Sequence, residues 1–492
     1  MKLKHISIFI LLLGFTFSCD DFEEMNVNPN EPTEVSADVL LPSTIRQTVN
    51  SMVLESFLLG NNAAQLTAKT LRTEVGAYNW NAFPTVWEEM YGALTDIRVV
   101  EDKAIEDGNQ VLEGIAIVWR SYIFSVLTNA YGDVPYSEAI QGADANLTPA
   151  YDAQEDIYAD LLTELDRAAT LLASGDGTVG GDILLGGDAD NWLRFANSLR
   201  LRLLMYASNS LSNAPQQISQ IVQEGNIIQS NDQNVALTYL AAFPNQFPLI
   251  PLKTGDFDAV ALGDNLLTTL TGYGDPRLAR FARPNNDDYS NPSFSGAVNG
   301  SNSPNCNKGG SRLGAIYYNY PDLTTAGSLG LSDAQGLIMT YAEVEFIIAE
   351  AAAKGWITED VETHYRAGIE ASMDYYNVDY APFGFTDFDD YYANSGVAYD
   401  EVIDIWEQKW MALFFTGLEP YFEVRRWYAE SGMSFAPIRF LTAPCENLND
   451  DVLPMRFLYP GEEQSLNSAN YSEAVQNLGG SNSFNASIWL VE

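Results

Sequence analysis

Apolar residues return at every third or fourth position through most of this chain, and that spacing restricts it to a mainly α fold. Trp87, Met90, Tyr91, Leu94 and Ile97 follow Pro84 at helical steps. Trp119, Ile123, Val126 and Ala130 repeat the pattern and stop at Tyr131-Gly132. Tyr158, Leu161, Leu165, Ala168 and Leu172 form a third stripe, with Asp152 expected as N-cap and Glu155 three residues on. A fourth, Trp192, Phe195, Leu199, Leu203 and Tyr206, is joined by Leu201, Leu204 and Met205, so this helix is apolar nearly all round and belongs in the middle of a core. Further on, Leu337, Tyr341, Val344, Ile348 and Ala351 lead to Lys354-Gly355, and Thr358 is expected to cap a helix carrying Tyr365, Ile369 and Met373. Two more helices are expected over Asp400 to Phe415 and Glu419 to Glu430.

The helices come in pairs. Ala349, Ala351 and Ala352 stand before Gly355, and Tyr365, Ala367 and Ala371 lie on the next helix, a pattern that resembles a tetratricopeptide unit. Weaker echoes occur at Ala130 to Gly132 with Tyr158 to Ala169, and at Ala196 to Asn209 with Ile218 to Gly225. Such pairs stack on one another and leave their loops to one side. From about 231 to 332 the texture changes to Gly, Pro, Asn and single aromatics with little period. A loop region of that length is either functional or disordered, and its aromatics argue against disorder.

The first residues address the chain elsewhere. Lys2 and Lys4 precede an apolar run from Ile6 to Phe17, and Ser18-Cys19 closes it just before Asp20, Asp21, Glu23 and Glu24. This is the layout of a secretory signal, and the run is shorter than the roughly 20 apolar residues of a membrane helix. A cysteine at the expected cut looks like a bacterial lipobox, with Cys19 lipidated; the alternative is an ordinary signal with an incidental cysteine. The expected organisation is a signal peptide over 1–18, a lipidated acidic tether over 19–36, and a single domain over 37–492 with its loop-rich insertion at about 231–332.

Charge and rare residues exclude several functions. A net charge of −41 repels phosphate backbones and anionic headgroups, so no nucleic-acid partner is expected. Of two histidines, His5 leaves with the signal, so only His364 is available to a triad and multi-histidine metal sites are excluded. A packing or surface role is expected for His364. Once Cys19 carries lipid, Cys306 and Cys445 remain, and in an exported chain the expectation is that they pair rather than stay free.

Gly175 to Gly180 matches G-x-G-x-x-G, but a helix precedes it and Asp176 and Asp182 would repel phosphate, so it is expected to be a loop. The doublets Asp389-Asp390 and Asp450-Asp451 could serve a glycosidase only if two carboxyls faced each other across a cleft. A structural calcium could sit at Asp256, Asp258 and Asp264, or at Asn285 to Asp288, though neither fits an EF-hand; no other cofactor is expected. Loop aromatics beside polar residues remain: Tyr78-Asn79-Trp80-Asn81, Phe243, Tyr273, Tyr289, Tyr317, Tyr318 and Tyr320. An aromatic face flanked by amides suits a sugar, whose C–H face stacks while its hydroxyls hydrogen-bond; the alternative is that each ring pins its loop to the body. The candidates for ligand contact are Tyr78, Asn79, Trp80, Asn81, Tyr273, Tyr289 and Tyr318.

Five stretches in order carry a resemblance: Tyr131 to Tyr136 (YGDVPY), Asn191 to Arg202, Gly274 to Leu278 (GDPRL), Gly417 to Arg426, and the tail Arg456 to Tyr471. Together they resemble the SusD/RagB family of surface lipoproteins over nearly the whole mature chain. The resemblance implies four tetratricopeptide-like pairs as scaffold, a loop-rich ligand face, no enzymatic activity, and delivery of captured glycan to a SusC-like TonB-dependent transporter. It also implies the outer face of the outer membrane, and it places Tyr78 and Trp80 in a region comparable to the family's aromatic platform. Arg200, Arg202, Arg425 and Arg426 lie in apolar helices and are expected to pair with buried carboxylates. Peptide uptake is the first alternative; a glycoside hydrolase or a structural surface protein is the second.

Overall fold

Gly108, at φ 68°, ends one helix, and Asn109 at once caps the next, its side chain accepting from the Leu112 amide at 3.1 Å. A two-residue connection folds the two helices back on each other, and this hairpin sets the pattern of the molecule. The computed structural model describes residues 36–141, 146–318, 320 and 334–492. The signal, Cys19 and the tether before Ser36 lie outside the described residues.

The longer helices are α1 (Ala37–Glu55), α2 (Pro84–Asp107), α3 (Gln110–Tyr131), α4 (Gln154–Ser174), α5 (Ala189–Tyr206) and α6 (Ala214–Glu224). After the loop-rich region, which includes α7 (Asp264–Tyr273), come α8 (Tyr341–Ala353), α9 (Val361–Tyr375), α10 (Val402–Ala412), α11 (Glu419–Glu430) and α12 (Ser468–Asn477). Each of α1 to α6 packs on the next, α8 packs on α9, and α5 meets α8 to join the two groups. This is the stacked helix-pair arrangement expected from the periodicity. By length and composition α3 could cross a membrane, but 89% of its most apolar window is buried inside the protein, which makes it the central core helix.

Sheet is confined to three antiparallel pairs. They use β1 (Thr67–Lys69), β2 (Val134–Pro135), β3 (Tyr151–Asp152), β4 (Val235–Leu237), β5 (Val260–Leu262) and β6 (Gly336–Met339). β1 pairs with β5, β2 with β3, and β4 with β6. The middle pair corrects one expectation. Asp152 does not cap α4; its carboxylate accepts from the Tyr136 and Ser137 amides at 3.0 and 2.9 Å, while Asp133 accepts from the first amide of α4, Gln154, at 2.9 Å. Leu337 likewise belongs to β6, with Thr340 capping α8, and Asp360 rather than Thr358 caps α9. In each case the cap is the residue whose oxygen reaches a free helix amide, and neighbouring polar residues are equivalent in sequence.

The recognisable stretches turn out to hold the scaffold together. Arg456 in the tail donates to the Tyr131 carbonyl at 2.9 Å, and the Tyr459 hydroxyl donates to the Asp133 carbonyl at 2.8 Å, so the tail clamps Tyr131 to Tyr136. Arg277 of Gly274 to Leu278 is fully buried on Asp275 (2.7 Å) and Gln408 (2.7 Å), with Tyr391 donating to the same carboxylate at 2.9 Å. Arg202 makes a two-pronged contact with Glu343 (2.6 Å on each side) and reaches Glu419 at 3.3 Å. Arg426 grips Glu350 at 2.7 Å with both prongs and Glu423 at 2.9 Å, and Arg200 reaches the exposed Asp166 at 3.0 Å. Arg425 departs from the expectation: it donates to the Asn129 and Met455 carbonyls at 2.6 and 3.0 Å. There the guanidinium satisfies a helix end instead of a carboxylate.

Candidate functional site

The loop-rich face is assembled from three segments, about 61–83, 296–309 and 442–452. After α1 the chain passes through a π turn (Ser56–Gly60), reverses at Gln65 (φ 63°) and enters β1. Gln65 donates to the Thr442 carbonyl at 2.7 Å and to the Tyr78 hydroxyl at 3.3 Å, tying the first segment to the third. Asn299 donates to the Asn62 and Thr67 carbonyls at 3.1 and 2.9 Å, tying the second to the first. The Cys306–Cys445 disulfide, with Cα atoms 5.8 Å apart, joins the second to the third. Around it Ser301 N donates to the Cys445 carbonyl at 3.0 Å, and Cys445 N to the Asn299 carbonyl at 2.9 Å. Gly300 (φ 148°) is required here, since a Cβ would meet the Cys445 carbonyl oxygen at 2.1 Å.

Left-handed backbone at non-glycine residues is uncommon and concentrates at functional surfaces. On this face it occurs at Gln65, Arg72, Tyr78, Glu446, Asp450 and Asp451. The two loops that hold them are bonded directly, Leu448 N to the Ala77 carbonyl at 2.8 Å. Exposed on these two loops are Leu71 (62%), Leu448 (65%), Asn79 and Asn81. These loops expose apolar and amide side chains on a backbone held by cross-links, which suits an amphipathic ligand with many hydroxyl or amide groups.

The two rings expected to form an aromatic platform are buried. Tyr78 and Trp80 are 1% and 3% exposed; Trp80 donates to the Val75 carbonyl at 3.0 Å and packs on Phe83, Tyr421 and Phe457. Their rings are core, and burial pushes the Tyr78 hydroxyl well above its usual range. They pin the loop and offer no stacking face, because alternation turns Asn79 and Asn81 outward instead. Tyr318 is 5% exposed, stacked on Phe257 at 4.3 Å and donating to the Leu252 carbonyl at 2.9 Å. Tyr273 is half-buried with its hydroxyl on Glu407 at 2.6 Å. Tyr289 is half-buried, and its hydroxyl has no hydrogen-bond partner among the described residues. The structure does not gather these rings with Asn79 and Asn81 into one surface.

At the two calcium candidates carboxylates are taken up by neighbouring side chains. Arg312 holds Asp258, with Nε on Oδ1 at 2.9 Å, and Asp256 is exposed on a short helix. In the second candidate Asp287 is held by Arg283 at 2.6 Å, while Asp288 accepts from Ser290. Among the described residues no three metal-ligating groups come together. The carboxylate doublets do not face each other either: Asp389 pairs with Arg366, and Asp390 accepts from the Thr386 amide, which holds its carboxyl below the usual range. His364 packs its Nδ1 against Glu345 at 2.6 Å, and this hydrogen bond raises its pKa. Residues 175–180 form an irregular loop, as expected.

A separate cleft of about 780 Å³ lies between α2, α3, α4 and the 136–141 loop. Its polar groups largely satisfy one another: Arg120 bridges Glu101 and Glu164 at 3.0 and 2.7 Å, and Tyr136 donates to Asp160 at 2.6 Å. Sequence reasoning did not find the apposed 65–78 and 446–451 loops; a cue was present in Cys445, which had been linked to residue 306.

Fold and face together define an α-helical repeat protein carrying a cross-linked loop surface. The chain belongs to the SusD-like family: the family model described as starch-binding associating with outer membrane matches residues 29–460. A crystal structure of an outer-membrane protein from Bacteroides vulgatus, described as involved in nutrient binding, is 25% identical, with a TM-score of 0.77 over 93% of this chain and 100% of its own. A SusD homologue from Bacteroides fragilis is 22% identical (TM-score 0.76, 93% and 100% covered). A chitin-binding SusD homologue from Flavobacterium johnsoniae is 20% identical (TM-score 0.73, 92% and 98% covered). None of the curated proteins matches the chain.

Proposed function

We propose that this protein captures an oligosaccharide on its loop face and delivers it to a SusC-like TonB-dependent transporter, held at the outer surface of the outer membrane by lipid on Cys19. The observation that carries the reading is the cross-linked pair of loops at 65–81 and 442–452, whose left-handed residues and disulfide hold Asn79, Asn81 and the flanking apolar residues in fixed positions. A preorganised shallow surface loses little entropy on binding yet gains modest energy, which fits a step that must release its cargo. The starch-binding description of the family and the chitin-binding relative support a glycan. The mature protein should bind a member of a panel of starch, chitin and other oligosaccharides, and Asn79→Ala with Asn81→Ala should weaken that binding. Binding of peptides alone would transfer the reading to peptide uptake, and reducing-sugar release would replace it with hydrolysis. Co-purification with a large β-barrel tests the transporter, and loss of a Cys19→Ala protein from the membrane fraction tests the anchor.

A further inference from the structure

Arg46 of α1 is half-buried and makes no hydrogen bond or ion pair among the described residues, although the chain has 66 acidic and 25 basic side chains. It lines a cavity of about 180 Å³ with Asn50, Ile183, Leu237, Thr238, Tyr239, Leu240, Pro244 and Asn245. Two of the polar groups are occupied: Asn50 Oδ1 accepts from the Tyr239 hydroxyl at 2.8 Å, and Thr238 Oγ1 from Gln335 at 2.7 Å. Two are not. The Arg46 guanidinium has donors to give, and Asn245 Oδ1 is buried without a donor among the described residues. A buried acceptor of this kind costs free energy until a donor satisfies it, and the half-buried guanidinium beside it is free to take an anion.

The cavity therefore asks for three things at once. A carboxylate answers the guanidinium, an N–H answers Asn245 Oδ1, and a branched aliphatic group fills the space between Ile183, Leu237, Leu240 and Pro244. The segment 234–252 contains no charged residue, so it brings no carboxylate to repel an incoming anion in a chain of net charge −41. The same loop leaves Leu240 and Phe243 exposed, at 63% and 82%, which extends the apolar surface at its tip.

We propose that this cavity is a second binding site, distinct from the loop face, for an N-acylated apolar α-amino acid with a free carboxylate, the chemistry of a peptide's C-terminal residue. Arg46 takes the carboxylate, Asn245 the amide N–H, and the apolar wall the side chain. The site does not depend on glycan capture, and either reading can fail alone.

Calorimetric titration of the purified mature protein tests it with N-acetyl-leucine, its carboxamide N-acetyl-leucinamide, and Gly-Gly-Leu. The acid should bind, and the carboxamide, which lacks the charge, should bind at least about tenfold more weakly. Arg46→Gln should bring the acid down to the level of the carboxamide with the melting temperature unchanged, and Arg46→Lys should restore part of the difference. Gly-Gly-Leu should match or exceed N-acetyl-leucine if peptides are the source, and fall below it if the site takes the free acyl amino acid. Equal binding of acid and carboxamide, or acid binding untouched by Arg46→Gln, overturns the proposal. So does the absence of binding to the unaltered protein.

Discussion

Glu55, the last residue of α1, is 5% exposed, and burial raises its carboxyl from 4.5 to about 7, with Lys69 opposing the rise. The folded chain thus keeps a proton that the unfolded chain gives up. Its contribution to stability is complete below pH 4.5, declines as pH rises, and is lost above about 7. Glu55→Gln should therefore leave stability unchanged near pH 4 and raise it by about 2–3 kcal/mol at pH 8, measured by urea unfolding at both values. The arginines make the opposite case. Arg202→Met would strand Glu343 and Glu419 in the core and should cost about 3–5 kcal/mol in the same measurement, because an unpaired buried charge is worse than no charge. That Arg202 and Arg426 would pair with buried carboxylates was legible from their apolar helices; that Arg200 would take the exposed Asp166 and Arg425 backbone carbonyls was not, since the choice depends on what lies opposite.

At the scale of elements, the helices were legible and their joints less so. Asn109 is the informative joint. Its side chain caps α3 and also donates to the Thr178 carbonyl at 2.9 Å, pulling the irregular 175–180 loop onto the α2–α3 hairpin. Asn109→Ala should cost about 1 kcal/mol, read as a lower urea midpoint, with faster amide exchange at the start of α3. Stripe spacing could place α2 to α5 because each buries a continuous face. It could not choose between Asp152 and Asp133, or between Thr358 and Asp360, as caps. The first of these choices turns on the pairing of β2 with β3, which brings Asp133 to the start of α4.

For the whole molecule, the Cys306–Cys445 bond closes a loop across a sequence separation of 139 residues and ties two segments of the loop face together. Replacing both cysteines by serine should lower stability by about 2–4 kcal/mol in thermal or urea unfolding. On the proposed function it should also weaken glycan binding, since the 442–452 loop would lose its fixed partner. The same variant should leave N-acetyl-leucine binding at Arg46 unchanged, because that cavity is built from α1, residue 183 and the 237–245 segment.

What the sequence determined by itself follows from local periodicity and charge. Helix positions, the paired-helix scaffold and the loop-rich region are written in residues close together in the chain, where side-chain spacing acts directly. The seven candidate ligand contacts are a different kind of property. Whether Trp80 faces solvent or core depends on Tyr421 and Phe457, more than three hundred residues away, and tertiary packing turned the Tyr78 and Trp80 rings inward and the asparagines out. The apposition of 65–81 with 442–452, and the lack of a partner for Arg46 among the described residues, are likewise set by how distant segments pack. No short-range pattern carries them, because the free energy of burial is shared among residues that only the fold brings together.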